Sequence, residues 1–388
     1  MQGAKAAEGF SGNVGEWAEP FVLMHLLANN NLYYADSDCN RIEHSSVVVD
    51  SVYRTETDGT ELAFLVVKSV SMDDDGGSVL VLRDGEAVEM IPKRDFAEHA
   101  HALFVNLSDR KAGDDSTDGE FLRRIGLRSL KSPSTAKEDL VAKVYDGFVG
   151  ALLARKYSIK ALIGANPSLS NASGQAYFDY ELPGFDERKR DAVMAITRET
   201  DRSWVVERTK AVIELCTAPP VPRVPGRVFE RNLRKCYWRT LEAVGYGLLY
   251  GQTIAGKRLP DSILEIERRN PGGWADDEIE DYGFGIRKYL WAVVFGMDPG
   301  APWRGPDVVD GYLIATRDEE VLAYQVSRQK DFEDYLLKHS SFDTPSTRRN
   351  ERVGAIREEG GKWLYSLQCA VKFQPKTWEG PAGFFDAR

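Results

Sequence analysis

Apolar residues recur at two different periods along the chain, and the changes of period mark its elements. In residues 16–30, Trp17, Phe21, Met24 and Leu27 return near helical spacing, which predicts a helix with one apolar face. Proline is tolerated only near a first turn, so Pro20 places the helix start between residues 16 and 19. From 45 to 92 the runs SSVVVDSVY, ELAFLVVKSV, SVLVLRD and EAVEMIP are separated by polar and glycine turns, the signature of strands. DDDGG at 73–77 reads as a loop. Helical spacing returns at 95–107 and 117–127, strand patterns occupy 137–181, and long helical patterns cover 186–215, 227–249 and 276–297. The tail predicts a hairpin near 310–326, a short helix at 330–338 and strands near 352–358 and 363–373.

This order predicts a mixed α/β fold. The Pro-rich stretch APPVPRVPGR at 218–227 is the best boundary or stiff linker. It divides a core over 1–217, with a β-rich insertion at about 40–110, from a largely helical second half over 218–388 that ends in mixed α/β structure. There is no internal repeat.

Composition narrows the classes. With 388 residues, 43% of them hydrophobic and 28% charged, the chain is long enough for two or three domains. No run approaches ~18 apolar residues, and the first residues, MQGAKAAEGFSGNVGEW, lack a signal peptide's apolar core. These features predict a cytoplasmic protein with no membrane partner. The four cysteines, Cys39, Cys216, Cys236 and Cys369, form no CxxC pair, which argues against structural zinc and a disulfide framework. His99 and His101 could face one side of a strand as metal ligands, but no third ligand lies nearby in sequence.

The net charge of −10 counts against a nucleic-acid partner only weakly, because binding depends on local phosphate contacts. Basic residues cluster at Arg123, Arg124, Arg128, Lys131 and Lys137, from Arg223 through Arg239, and at Arg348, Arg349 and Arg352. Each cluster could be an ordinary solvated face. Together they could also line one positive cleft.

Chemistry concentrates in residues 130–164. Asp139 opens a strand that turns Leu140, Ala142 and Val144 to one face, and Asp139, Val141 and Lys143 to the other. In Tyr157-Ser158-Ile159-Lys160, Ser158 and Lys160 share a face while Ile159 points to the core. An acid and a lysine on adjacent strands suit phosphodiester hydrolysis. The acid holds Mg²⁺, the metal activates a water and neutralises phosphate, and the lysine stabilises developing charge. This is the logic of a PD-(D/E)XK nuclease core.

A two-residue turn at Asp146-Gly147 would pair Asp139 with Ala154 and leave Lys160 roughly 20 Å away. A wider loop centred near Val149 brings Asp139 opposite Ser158–Lys160, and the wider loop is the expectation. Asp146 is then a loop residue, with a ligand role as its alternative. Asp139 could also simply cap a strand, and Lys160 could be a solvated lysine.

Three longer strings are more specific. GEWAEPFVLMHLLANNNLYYAD near the N-terminus, YSIKALIGANPSLSNASGQAYFDYEL at 157–182 and FEDYLLKHSSFDTPSTRR at 332–349 stand in the order found in one family. With them the chain resembles the HpaII family of type II restriction endonucleases over nearly its whole length. The resemblance implies Mg²⁺-dependent cleavage of double-stranded DNA at a short palindrome, CCGG in the namesake, and a cognate DNA methyltransferase in the same restriction-modification system. A palindrome favours a two-fold dimer. Asp139 and Lys160 carry over as metal ligand and catalytic lysine.

Ser158 stands where the common motif has Asp or Glu and cannot supply a negative ligand. Glu19 is the first choice to complete the site as a second metal ligand, unless Pro20 displaces it. Asp179, Glu181 and Glu120 are alternatives, and Glu138 competes with Asp139 for the metal face. For DNA, Asn171 and Ser173 could read base edges or hold phosphate, or form a locally bonded turn. Lys131 and Lys137 flank the catalytic strand as phosphate contacts. Thr347, Arg348 and Arg349 offer a hydroxyl and two guanidinium groups. Tyr237, Trp238 and Trp303 read as core rather than base-stacking platforms. The rival readings are a non-catalytic DNA-binding or regulatory protein on a degenerate nuclease fold, kept open by Ser158, and a hydrolase of small phosphates.

Overall fold

A computed structural model of the chain describes residues 10–68, 76–109, 117–133, 138–147, 149–161, 163, 176–198, 203–254, 258–294, 297–305, 309–325, 329–343 and 351–373. In chain order the first elements are α1 (Val14–Asn29), β1 (Asn31–Ala35), β2 (Arg41–Thr55), β3 (Glu61–Val67), β4 (Ser78–Arg83), β5 (Glu86–Pro92), α2 (Lys93–Ser108), α3 (Thr117–Arg124), β6 (Leu140–Asp146) and β7 (Ala151–Ala161). Then come β8 (Tyr177–Glu181), α4 (Glu187–Met194), α5 (Ser203–Leu215), β9 (Val221–Arg223), α6 (Arg227–Cys236), α7 (Thr240–Gly251), α8 (Leu259–Arg269) and α9 (Asp281–Val294). The chain continues with β10 (Gly311–Ala315), β11 (Val321–Gln325), α10 (Gln329–His339), β12 (Ser340–Asp343), β13 (Ile356–Glu359), β14 (Lys362–Gln368) and β15 (Ala370–Phe373). The mixed α/β expectation holds. Two compact units form: residues 1–167 with 308–332, and residues 168–307 with 333–388.

The first unit is a mixed sheet in the order β1-β11-β10-β7-β6-β2-β3-β4-β5. β10 runs parallel to β7, and β1 parallel to β11. β1 also pairs with β2, so six strands close a circuit. The strands predicted between 45 and 92 belong to this sheet, because β2 pairs with β6.

α1 begins at Val14, earlier than Pro20 suggests. Asn13 Oδ1 accepts the Gly15 and Glu16 N–H groups, and Glu16 Oε2 accepts the Asn13 N–H at 3.0 Å. This reciprocal cap fixes the start and leaves Pro20 inside the helix, where it forgoes one backbone bond. Packing outweighs that cost. Trp17, Phe21, Val22, Leu23, Met24, Leu26 and Leu27 are all buried, so the helix is apolar nearly all round and not one-faced. Each such large side chain contributes about 1.5–3 kcal/mol.

The second unit holds the sheets β13-β14-β8-β9 and β12-β15 with α4 to α9. The long helical patterns break there. The first divides into α4 and α5, the second into α6 and α7, and α8 had no counterpart in the sequence reading. Between α6 and α7, Tyr237 is extended (φ −166°, ψ 148°) and ends α6. Val221–Arg223 of the Pro-rich stretch pairs with β8, so that stretch lies inside the second unit and does not part the two. Pro222 explains a glycine of α7: a Cβ on Gly245 would sit 2.4 Å from the Pro222 Cβ. No helix of the described residues is long and apolar enough to cross a membrane.

Candidate active site

β6 and β7 pair with Leu140 opposite Tyr157 and Asp146 opposite Ala151. The connection is therefore the wider one, and Gly150 adopts φ 68° within it. Asp146 closes the strand there, its Oδ1 accepting the Val149 N–H at 3.3 Å, at the opposite end of β6 from Asp139. Leu140, Ala142 and Val144 are buried, as are Tyr157 and Ile159. Alternation then gives Asp139, Ser158 and Lys160 one common face.

Asp139 is held by its neighbours across the ladder. Its Oδ2 accepts the Ser158 hydroxyl at 3.0 Å and the Ile159 N–H at 2.6 Å. Its own N–H donates to Tyr157 O at 2.9 Å. Glu138, the neighbouring acid, pairs with Lys156 Nζ at 3.0 Å.

Glu19 reaches the same site from α1, and Pro20 has not displaced it. It is only 8% exposed. Its Oε2 accepts the Ser132 N–H at 3.0 Å and lies 3.7 Å from Arg54 Nη1. Ser132 Oγ in turn donates to the Asp139 carbonyl at 2.7 Å. Ser132 thus joins the two acids, a role that nothing in sequence spacing signals.

Arg54 was likewise missed. β2 carries a bulge between Val49 and Ser51, and the buried positions change from Val47 and Val49 to Val52 and Arg54. The extra residue re-aims the strand and turns a guanidinium into the core. Arg54 Nε lies 3.1 Å from Glu56, and Nη2 donates to Ser129 O at 2.9 Å. The fully buried Glu56 accepts the N–H groups of Arg128 and Ser129, both at 3.0 Å. These bonds fix the segment that delivers Ser132.

The charges are strongly perturbed. Burial pushes the Glu19 carboxyl up to about 8; the Asp139 charge adds to the rise, while Arg54 and the Ser132 N–H oppose it. Burial lowers the Lys160 ammonium from the usual lysine range, and the Asp139 and Glu19 charges pull it back. Its Nζ stands 5.9 Å from the centre of the Tyr312 ring, which β10 places opposite Ser158. A cleft of about 450 Å³ opens beside Asp139, Ser132, Arg54 and Lys143.

This donor set suits a divalent cation. Two carboxylates repel each other in a buried site, and a metal would relieve that repulsion with hard oxygen ligands. Among the described residues no group of three His, Cys, Asp or Glu side chains is placed to hold a metal ion. Two carboxylates with the remaining positions left to water and substrate phosphate is a common magnesium arrangement.

The other candidates are engaged elsewhere. Asp179 is bonded by Arg352, Arg357 and Ser366 at 2.8, 2.6 and 2.6 Å. Glu181 pairs with Arg223 and Lys362, and Glu120 is exposed on α3. His99 and His101 lie on α2 rather than a strand: one stacks on Phe121 and the other meets Glu319 at 2.9 Å. Two residues apart on a helix, they face different ways. Lys131 is exposed and paired with Glu16 at 2.8 Å. Lys137, Asn171, Ser173, Thr347, Arg348 and Arg349 lie outside the described residues. Trp238 is 57% exposed, not core.

The sequence profile of the HpaII restriction endonuclease family matches residues 13–373. Over 371 residues the chain is 26% identical to the type II restriction enzyme HpaII of Haemophilus parainfluenzae, covering 94% of this chain and 99% of that protein. No solved structure matches the chain.

Proposed function

Because the chain belongs to the HpaII restriction endonuclease family, we propose that it is a type II restriction endonuclease with a PD-(D/E)XK-like core, and that Glu19, Asp139 and Lys160 form its Mg²⁺-dependent centre. The observation that carries this reading is the shared face of Asp139, Ser158 and Lys160, with the Glu19 carboxylate close enough to feel the Asp139 charge. The substrate is double-stranded DNA, and the family resemblance makes CCGG the first palindrome to test. A cognate methyltransferase would protect the host site, and a two-fold dimer would match a palindrome.

Magnesium, when bound by Glu19 and Asp139, supplies positive charge against the scissile phosphate and acidifies the attacking water. The chain's own groups do the rest. Ser158 and the Ile159 N–H hold Asp139 in one orientation. Arg54 and the Ser132 N–H hold Glu19. Lys160, desolvated and flanked by both carboxylates, orients the water and steadies charge growing on the phosphate oxygens. Water forms the new bond to phosphorus and loses a proton to solvent as the bond to the leaving oxygen breaks, and that oxygen takes up a proton from solvent.

The test is plasmid digestion with Mg²⁺ or with chelator, using wild type and Lys160→Ala. Discrete fragments seen only for wild type with metal support the proposal. Intact plasmid across a broad sequence set refutes it. The neutral Ser158 beside Asp139 favours one rival, a DNA-binding protein without cleavage. Specific binding that neither cuts nor responds to Lys160→Ala would select it.

A further inference from the structure

Among the described residues, the basic side chains of the sequence clusters differ in whether an acid meets them. In the first, Arg124 meets Glu89 and Asp95, Arg128 meets Asp58, and Lys131 meets Glu16. In the third, Arg352 meets Asp179. In the second cluster two described arginines keep uncompensated charge. Arg223 and Arg239 are paired with Glu181 and Glu278, but Arg227 and Arg231 are exposed on α6 and make no ion pair among the described residues. Arg234 has Glu230, the one acid of that helix, at 3.2 Å. Lys235 donates to a neutral carbonyl, Trp303 O, at 2.7 Å.

α6 is strongly two-faced. Phe229, Asn232 and Leu233 are buried, and Arg227, Arg231, Arg234 and Lys235 are exposed. The buried Asn232 makes three bonds to the segment after α9: to Asp298 O at 3.0 Å, to Ala301 O at 2.8 Å and from Trp303 N–H at 3.0 Å. With Lys235 bound to the same Trp303, this clamp sets the exposed Arg304 beside the helix. Arg304 too makes no ion pair among the described residues. Three exposed arginines without an ion pair among the described residues, on a chain of net charge −10, make an anion-binding feature. Arg227 and Arg231 are about one turn apart, roughly 6 Å along the helix, close to the separation of neighbouring phosphates on one strand.

We infer that the exposed basic face of α6, extended by Arg304, docks the phosphate backbone of duplex DNA and carries a sequence-independent share of its affinity. This inference rests on the endonuclease reading.

The experiment is salt-dependent binding of a 25-base-pair duplex lacking the target, read by fluorescence anisotropy in the absence of metal. In the triple variant Arg227→Gln, Arg231→Gln, Arg304→Gln, the slope of log affinity against log salt falls by about 2–3, at about 0.9 per phosphate contact. The corresponding triple Lys variant keeps the wild-type slope, because a point charge suffices for phosphate. Arg124→Gln with Arg128→Gln leaves the slope unchanged. A Gln triple variant with the wild-type slope overturns the inference while leaving the endonuclease reading intact. A wild-type protein without affinity for any duplex overturns both.

Discussion

Ser158 Oγ donates to Asp139 Oδ2 at 3.0 Å across the β6–β7 ladder. Ser158 is therefore a brace for Asp139 from the neighbouring strand. The Ile159 N–H shares the same oxygen at 2.6 Å, so loss of the serine still leaves one donor. Ser158→Ala is expected to lower stability by about 1 kcal/mol and to slow single-turnover cleavage by about tenfold, with the apparent Mg²⁺ requirement raised. Asp139→Asn keeps the shape but removes a negative ligand, and its cleavage rate should fall by about 10³ or more. Equal losses in the two variants would contradict the bracing role.

Glu19 gives a pH signature. Its folded-state carboxyl is pushed up to about 8 from an ordinary 4.5, so the metal-free native state binds more protons than the unfolded chain between those values. Stability should therefore be greatest below about pH 4.5 as far as this group is concerned, and fall as pH rises toward 8. Glu19→Gln removes that slope. At pH 8 it should stabilise the metal-free protein by on the order of 2 kcal/mol while abolishing Mg²⁺-dependent cleavage. Denaturant titrations of both proteins at pH 5.5 and pH 8 without metal provide the check. A difference that does not grow with pH would remove the buried-carboxylate account.

Lys160 has the opposite sign. Burial holds its ammonium below the usual lysine value, so the folded chain binds fewer protons there than the unfolded one at high pH. This group's contribution to stability is unfavourable at neutral pH and improves as pH rises through the lowered value. The two nearby carboxylates limit the effect. Lys160→Met should fold at least as stably as wild type at pH 7, and cleavage should drop by about 10³. Strong destabilisation would make the lysine a structural ion-pair member. Undiminished cleavage would remove it from the mechanism.

Much of this arrangement could be read before the structure. Strand alternation placed Asp139 and Lys160 on one face, and the choice of a wide loop over an Asp-Gly turn gave their register. These are local properties with a period of two, and the apolar residues Leu140, Ala142, Tyr157 and Ile159 signal them directly. Glu19 came only through the family resemblance, since no spacing rule links residue 19 to residue 139. Ser132 and Arg54 were invisible for two reasons. Ser132 acts through a backbone N–H, which every residue has. Arg54 faces inward only because a bulge reverses the alternation, and an Arg in a strand otherwise reads as solvated. The helix starts earlier than Pro20 implies because the Asn13–Glu16 cap, not the proline, sets it.

Arg54 itself supplies the last test. Its buried guanidinium lies between Glu19 at 3.7 Å and Glu56 at 3.1 Å, and it bonds the Ser129 carbonyl. Removing one member of a buried ion network leaves uncompensated charge and typically costs about 3–5 kcal/mol. Arg54→Met should therefore destabilise the metal-free protein by that order. The two orphaned acids differ, however. Glu19 can be neutralised by protonation or by Mg²⁺, whereas Glu56 is fully buried against the Arg128 and Ser129 N–H groups. Saturating Mg²⁺ should thus recover part of the loss. Adding Glu56→Gln to Arg54→Met should recover a further part, because the amide oxygen can still accept those N–H bonds without carrying charge. Thermal unfolding of the single and double variants, each with and without Mg²⁺, separates the two contributions. Full recovery by metal alone would mean that Arg54 serves only Glu19. No recovery from either change would show that the guanidinium is needed chiefly for its packing and its bond to Ser129.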